Sequence, residues 1–105
     1  MQQIEALDVQ RRLAAGEQLV LLDVREPNEV AYCRIPESTH IRMNEIPARL
    51  QELHPQDTIV VYCHAGGRSA KVCQFLEANG FANVLNLRGG ITQWSLQVDP
   101  TVPRY

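Results

Sequence analysis

A cysteine ends the most apolar run of this 105-residue chain, Thr58–Cys63. The loop that follows, His64–Arg68, contains two adjacent glycines, which allow a tight turn whose successive N–H groups point inward and bind an anion. Ser69 can then cap a helix over 70–79, and the positive end of that helix dipole is directed at the same place. The pattern predicts a loop that stabilises the thiolate of Cys63.

The ionisation of Cys63 decides what this loop can do. A free thiol has a pKa of about 8.5, so only about 3% of it is ionised at pH 7, and the thiolate is the nucleophile. A helix N-terminus favours the charged form by about 0.3 to 2 kcal/mol, and each charge-assisted hydrogen bond by about 1.5 to 3 kcal/mol. These contributions are large enough without a general base, so we predict that Cys63 is ionised near neutral pH.

The strands that must position the loop are visible as apolar runs. Residues 19–24 and 58–63 are almost continuously apolar, which is typical of strands that are covered on both faces of a sheet. Weaker strand signals occur at 84–87 and at 39–41, the second being short enough for an edge strand.

Helical patterns lie between these strand candidates, and each begins at a residue that can cap its first turn. We expect helices over 8–15, 45–53 and 70–79, capped by Asp8, Asn44 and Ser69. The alternation predicts one α/β domain over residues 1–105, with a mostly parallel sheet and helices on both faces. In such sheets ligands bind beyond the carboxyl ends of the strands, where Cys63 stands.

Composition and charge argue against several classes of function. The chain has 12 acidic and 10 basic residues, a net charge of -2 and no basic run, so a nucleic-acid partner is not expected. No stretch approaches the roughly 20 apolar residues of a membrane helix and no secretory signal begins the sequence, so we expect a cytoplasmic protein without a membrane partner. The cysteines are Cys33, Cys63 and Cys73. Their wide spacing predicts no disulfide framework and no metal site, and we expect a monomer without a cofactor.

Three segments together resemble the single-domain rhodanese-like sulfurtransferases. The loop at 63–69 reads C-H-A-G-G-R-S and resembles the active-site pattern C-x-x-G-x-R-S of that family. Upstream, residues 21–29 are similar to the family's L-[LI]-D-V-R-E-x-x-E segment, and downstream, residues 89–94 resemble its G-G-x-x-x-W element. The segments stand in the order that the family has, across about residues 19 to 94.

A middle segment departs from the family pattern. Where the family usually reads G-H-I-P-G-A, residues 33–38 read C-R-I-P-E-S, which puts Cys33 and Glu37 at glycine positions. Arg42 stands where a proline is common. The exchanges at the two glycine positions imply either altered backbone geometry or a relaxed requirement for glycine there. The polar surroundings predict that Cys33 is exposed.

The resemblance implies sulfur transfer in two half-reactions. The thiolate of Cys63 would attack the outer sulfur of a small anionic donor such as thiosulfate, and a thiophilic acceptor, either a small molecule or a protein thiol, would remove that sulfur from the resulting persulfide. The leaving group and the persulfide are both anionic and need fixed positive dipoles. Cys63 and Arg68 are therefore the expected catalytic residues. The expected substrate-binding residues are His64, Ala65, Gly66, Gly67 and Ser69.

Two other functions remain open from the sequence. Cysteine phosphatases place an arginine sixth after the cysteine, in C-x5-R, whereas Arg68 is the fifth residue after Cys63. The shorter loop predicts a narrower cradle, which favours one sulfur atom over a tetrahedral phosphoryl group, and arsenate reduction would be a related variant. Rhodanese-like domains also serve as noncatalytic binding or regulatory modules, although these often lack the nucleophile.

Other conspicuous residues have structural interpretations. Cys73 shares a helix face with apolar residues, which predicts packing in the core. Asp23 and Arg25 follow a buried strand and are expected to orient neighbouring loops through hydrogen bonds. Trp94 is expected in the core or in the wall of a pocket. Residues 100–105 show little helical or strand signal and are expected to form a tail.

Overall fold

Five parallel strands form one sheet in the computed structural model of the protein, which describes residues 1–105. The strands are β1 (Gln2–Ile4), β2 (Val20–Asp23), β3 (Thr39–His40), β4 (Ile59–Tyr62) and β5 (Val84–Leu87). Their order across the sheet is β1-β5-β4-β2-β3, and every pairing is parallel. Asp23 of β2 lies opposite Tyr62 of β4. The segments that leave β2 and β4 therefore begin side by side, and Cys63 is the first residue after β4.

Helices cover both faces of the sheet. They are α1 (Ala6–Ala14), α2 (Pro27–Tyr32), α3 (Gly67–Ala78), α4 (Gly90–Gln97) and two 3-10 helices, Met43–Glu45 and Pro47–Glu52. Residues of α3 share one apolar core with Ile59 and Val61, whereas residues of α1 and α4 share a second core with Val60 and Tyr62. This arrangement confirms the predicted α/β class with a parallel sheet and helices on both faces. No helix is long and apolar enough to span a lipid bilayer.

The strand predictions agree with the structure, but one strand was missed. The runs at 19–24, 58–63 and 84–87 contain β2, β4 and β5, and the short candidate at 39–41 contains the edge strand β3. The strand β1 has no clear sequence signal because two of its three residues are exposed glutamines. It forms by pairing with β5, which is more than 80 positions away in the sequence.

The predicted caps of two helices were wrong. The helix α1 begins at Ala6, so Asp8 lies in its first turn. A carboxylate there still interacts favourably with the helix dipole. The helix α3 begins at Gly67, after Gly66 in the left-handed conformation, so Ser69 also lies inside the first turn. Both helices start two or three residues earlier than predicted. The hydroxyl of Ser69 is therefore not a helix cap and is free to contact other groups.

The predicted helix over 45–53 is also wrong, and two helices were missed. The second 3-10 helix begins at Pro47 and is kinked by the non-helical backbone of Arg49, so the region contains no α helix that Asn44 could cap. The helix α2 begins with proline at its first position and has a reciprocal capping box formed by Glu26 and Glu29. The helix α4 follows Gly89 in the left-handed conformation.

The segment that departs from the family pattern is more buried than predicted. Cys33 exposes only 7% of its surface and belongs to the same core as Ile35, so its predicted exposure is wrong. Its backbone is extended, with φ of -161°, which any residue adopts. Glu37 has φ of +67°, a left-handed conformation that glycine favours. The exchange at 37 therefore keeps a glycine-like backbone at some cost in strain.

The predicted tail is likewise packed against the domain. Val102 is buried in the core that α1 and α4 cover, and the hydroxyl of Ser95 donates a hydrogen bond to its carbonyl oxygen over 2.6 Å. This anchor directs the following residues back across the carboxyl ends of the strands, where Tyr105 meets the loop that holds Cys63.

Candidate active site

The Sγ atom of Cys63 is surrounded by amides of the loop that follows β4. The amide of Gly66 donates to it over 3.1 Å and the amide of Ser69 over 3.5 Å. Gly66 has φ of +119°, a conformation that side-chain-bearing residues rarely adopt, and this turns its N–H back toward the end of the strand. The loop thus has the anion-binding geometry that its two glycines predict.

The environment of Cys63 favours its thiolate. Only 1% of the residue is exposed, and burial by itself raises the pKa of a thiol. The polar hydroxyl of Ser69, 3.4 Å from Sγ, and hydrogen bonds from the amides of Ser69, Gly66 and Arg68 act in the opposite direction and outweigh the burial. The pKa of Cys63 is therefore lower than that of an ordinary cysteine, as a nucleophile requires.

Cys73 shows the opposite behaviour and confirms the packing prediction. Its side chain is fully buried in the core beneath α3, where it has no comparable set of donors. Burial raises the pKa of its thiol to about 12. The two cysteines are thus chemically distinct although both are covered by protein.

Asn86 on β5 fixes the loop to the sheet, a role that the sequence analysis missed. The hydroxyl of Ser69 donates to Asn86 Oδ1 over 2.5 Å, and Asn86 Nδ2 donates to the carbonyl oxygen of Gly66 over 3.2 Å. Asn86 and Ser69 are both buried. The available signal was a polar residue inside the otherwise apolar run Val84–Leu87.

The beginning of α4 holds the start of the loop from the other side. The amide of Ile91 donates to the carbonyl oxygen of Cys63 over 3.0 Å, and the amide of Thr92 donates to that of His64 over 3.3 Å. Gly90, in a left-handed conformation, makes this approach possible because a Cβ atom there would lie 2.3 Å from the carbonyl oxygen of His64. The double glycine of the downstream motif therefore serves the geometry of the cysteine loop.

Arg68 is held beside the loop by Glu29 of α2. Its guanidinium makes two parallel hydrogen bonds to that carboxylate, of 2.7 Å and 2.9 Å, and they lower the pKa of Glu29 to about 2. Glu29 above all, and also the thiolate of Cys63, raise the pKa of Arg68. The charges of Arg68 and of the Cys63 thiolate therefore attract each other. Glu29 is the final glutamate of the upstream motif, and its role in holding Arg68 is not evident from the sequence.

Asp23 and Arg25 orient the neighbouring segments, as predicted. Both side chains are fully buried and form a two-point ion pair with distances of 2.7 Å and 3.0 Å. Arg25 also donates to the carbonyl oxygen of Cys33 over 2.7 Å, which ties the end of β2 to the segment after α2. Trp94, also as predicted, lies in the core on the α1 and α4 side of the sheet.

The remaining predicted site residues lie on the rim of the loop. The amides of His64, Ala65 and Gly67 donate to no protein acceptor. The imidazole of His64 stacks on the ring of Tyr105. No group of three or more histidine, cysteine or acidic side chains is close enough to hold a metal ion.

Fold and loop together define a class of α/β protein in which loop amides surround a cysteine sulfur at the carboxyl end of a central parallel strand. Comparison with known proteins makes this assignment specific. The sequence profile of the Rhodanese-like domain matches residues 5–97, and the chain belongs to that family.

Relatives along nearly the whole chain agree with this assignment. A sulfurtransferase from Allochromatium vinosum is 38% identical over 100 residues, which cover 95% of this chain and 94% of that protein. The putative sulfurtransferase YtwF of Bacillus subtilis is 37% identical over 100 residues, covering 95% and 96% of the two chains. A crystal structure of a rhodanese-like domain protein from Staphylococcus aureus is 30% identical, with a TM-score of 0.87 over 100% of this chain and 99% of the other.

The lowered pKa of Cys63 leads to a prediction about its reactivity. We expect the rate of alkylation by iodoacetamide to rise with pH through a pKa below that of a free cysteine, and then to stay constant, because only the thiolate reacts. The measurement is peptide mass spectrometry across a pH series in the folded protein. Cys73 is the internal control and should remain unmodified, because its pKa is raised to about 12. A midpoint at or above the pKa of a free cysteine would contradict stabilisation of the thiolate by the loop amides.

Proposed function

We propose that this protein is a sulfurtransferase that carries a sulfane sulfur as a persulfide on Cys63. The observation that supports this most directly is the convergence of the Gly66 and Ser69 amides on Sγ, because a persulfide and its parent thiolate are both anionic sulfur. The sulfurtransferase of Allochromatium vinosum and the putative one of Bacillus subtilis, which match this chain almost from end to end, support the same activity.

In the first half-reaction, the thiolate of Cys63 attacks the outer sulfur of thiosulfate. A new S–S bond forms on Sγ, the S–S bond of thiosulfate breaks, and sulfite leaves with the electron pair of that bond. Arg68 favours this step because its positive charge attracts both the thiolate and an anionic donor. Its pairing with Glu29 keeps the guanidinium in one orientation beside the loop.

In the second half-reaction, a thiophilic acceptor attacks the outer sulfur of the persulfide. The persulfide bond breaks, its electron pair returns to Sγ, and the thiolate of Cys63 is restored. The amides of His64, Ala65 and Gly67 are available for the outer sulfur because they have no protein acceptor. Loop amides thus hold the thiolate before transfer and the longer persulfide after it.

Mass spectrometry after treatment with thiosulfate tests this function. We expect a gain of one sulfur atom on the peptide that contains Cys63, and loss of that sulfur when cyanide or a small thiol is added. An unchanged mass at several donor concentrations would contradict the proposal and favour a noncatalytic module. Turnover of an aryl phosphate at a rate equal to or above that of thiosulfate would instead favour a phosphatase.

A further inference from the structure

Tyr105 contacts the proposed catalytic loop although it lies outside every motif of the sequence. Its ring stacks on the ring of His64, with centroids 4.0 Å apart and planes inclined by 10°. The His64 Nε2 atom donates to the main-chain oxygen of Tyr105 over 2.7 Å. Tyr105 is 44% exposed, so it is not a core residue.

The hydroxyl of Tyr105 joins two ion pairs beside the loop. It donates to Glu29 Oε2 over 2.7 Å and accepts from Arg25 Nη1 over 3.0 Å. Partial burial raises the pKa of Tyr105 to about 12, so the hydroxyl keeps its proton at neutral pH and remains a donor to Glu29. The same Glu29 oxygen accepts from Arg68 Nη2 over 2.9 Å. Tyr105 therefore supports the carboxylate that orients Arg68.

The carboxylate of Glu29 is fixed at both of its oxygens. Oε1 accepts from the amide of Glu26 over 3.0 Å and from Arg68, whereas Oε2 accepts from Tyr105 and from Arg68. The terminal torsion of a glutamate is intrinsically broad, so the carboxylate can rotate once one of these supports is lost. Because Arg68 is bound to both oxygens, rotation of the carboxylate also changes the orientation of the guanidinium beside the loop.

We propose that Tyr105 is a positioning residue for sulfur transfer, which acts through Glu29 to hold Arg68 where it favours the approach of an anionic donor to Cys63. The effect on sulfur transfer rests on the proposed function. The effect on Arg68 does not, because any anionic reagent that approaches Cys63 experiences the same charge.

The variant Tyr105→Phe tests the hydroxyl while keeping a ring that can stack on His64. We expect the rate constant for persulfide formation from thiosulfate to fall about threefold to tenfold, the range of an ordinary net hydrogen bond, because the hydroxyl acts on the reaction only through Glu29 and Arg68. We also expect the ratio of alkylation rates with iodoacetate, an anion, and iodoacetamide, a neutral reagent, to fall by a similar factor. The pH profile with iodoacetamide should change little, because the amides around Sγ are unaffected.

Two further variants complete the test. Tyr32→Phe is the matched control, because Tyr32 meets the Tyr105 ring edge-on with centroids 5.8 Å apart, is 58% exposed and makes no side-chain hydrogen bond. It should leave both measurements unchanged. If Tyr105 acts through Arg68, then Tyr105→Phe should have little additional effect in the background of Arg68→Ala.

The outcomes separate this inference from the proposed function. Unchanged rates in Tyr105→Phe would overturn the role of Tyr105. Equal losses with iodoacetate and iodoacetamide, together with a lower melting temperature, would overturn it in favour of a general structural role. A lower iodoacetate preference in the variant would support it even if the unmodified protein formed no persulfide, and in that case only the proposed function would fail.

Discussion

Replacement of Cys63 by serine is expected to reduce sulfur transfer from thiosulfate to cyanide to the rate measured without protein, a loss of more than about a thousandfold. A serine hydroxyl does not ionise near neutral pH, so the Gly66 and Ser69 amides would surround a neutral oxygen and no persulfide could form. The measurement is the steady-state rate of thiocyanate formation, with circular dichroism to verify that the variant is folded.

The matched control for this result is Cys73→Ala. It removes a cysteine that is equally covered by protein but whose pKa is raised to about 12 by burial, so the activity per folded molecule should be retained. Some loss of stability is expected, because the substitution leaves a small cavity in the core. Residual sulfur transfer in Cys63→Ser, clearly above the rate without protein, would mean that another group is the nucleophile.

The sequence predicts best those features of the fold and of the candidate site that depend only on residues close together in the chain. The apolar runs that contain β2 and β4 are continuous, and the glycines after Cys63 have a geometric role that can be recognised from the loop alone. These two features predict the parallel sheet, the end of the sheet at which the site lies and the residue at its centre. They could do so because each depends on neighbouring residues only.

The supporting contacts of the site could not be predicted in the same way. The partner of Arg68 is 39 positions away, the contact between Asn86 and Ser69 spans 17 positions, and the hydroxyl of Tyr105 reaches Glu29 across 76. Each contact exists only because separate elements meet at the carboxyl ends of parallel strands. Periodicity and capping rules describe single elements, so they contain no information about which polar side chains will be brought together.

Removal of the carboxylate of Asp23 is expected to lower the free energy of unfolding by about 3 to 5 kcal/mol, a large part of the about 5 to 15 kcal/mol that is typical of a folded domain. Asp23 and Arg25 are both fully buried, so Asp23→Ala leaves a guanidinium in the protein interior without a counterion. The remaining partners of Arg25 are uncharged, namely the carbonyl oxygens of Cys33 and Glu29, the Sγ atom of Cys33 and the hydroxyl of Tyr105. These groups accept hydrogen bonds from Arg25 but do not balance its positive charge. Urea unfolding at pH 7 measures the effect.

An exposed ion pair supplies the contrast that makes this prediction specific. Glu5 pairs with Arg88 over 3.3 Å, and both side chains are largely in solvent, so Glu5→Gln should change the unfolding free energy little. The double variant Asp23→Leu with Arg25→Met should recover much of the stability that Asp23→Ala loses, because no buried charge then remains. If Asp23→Ala were as mild as Glu5→Gln, water or another acidic group would have to reach Arg25, and the buried pair could not be the support that holds Tyr105 and the segment after α2 against the site.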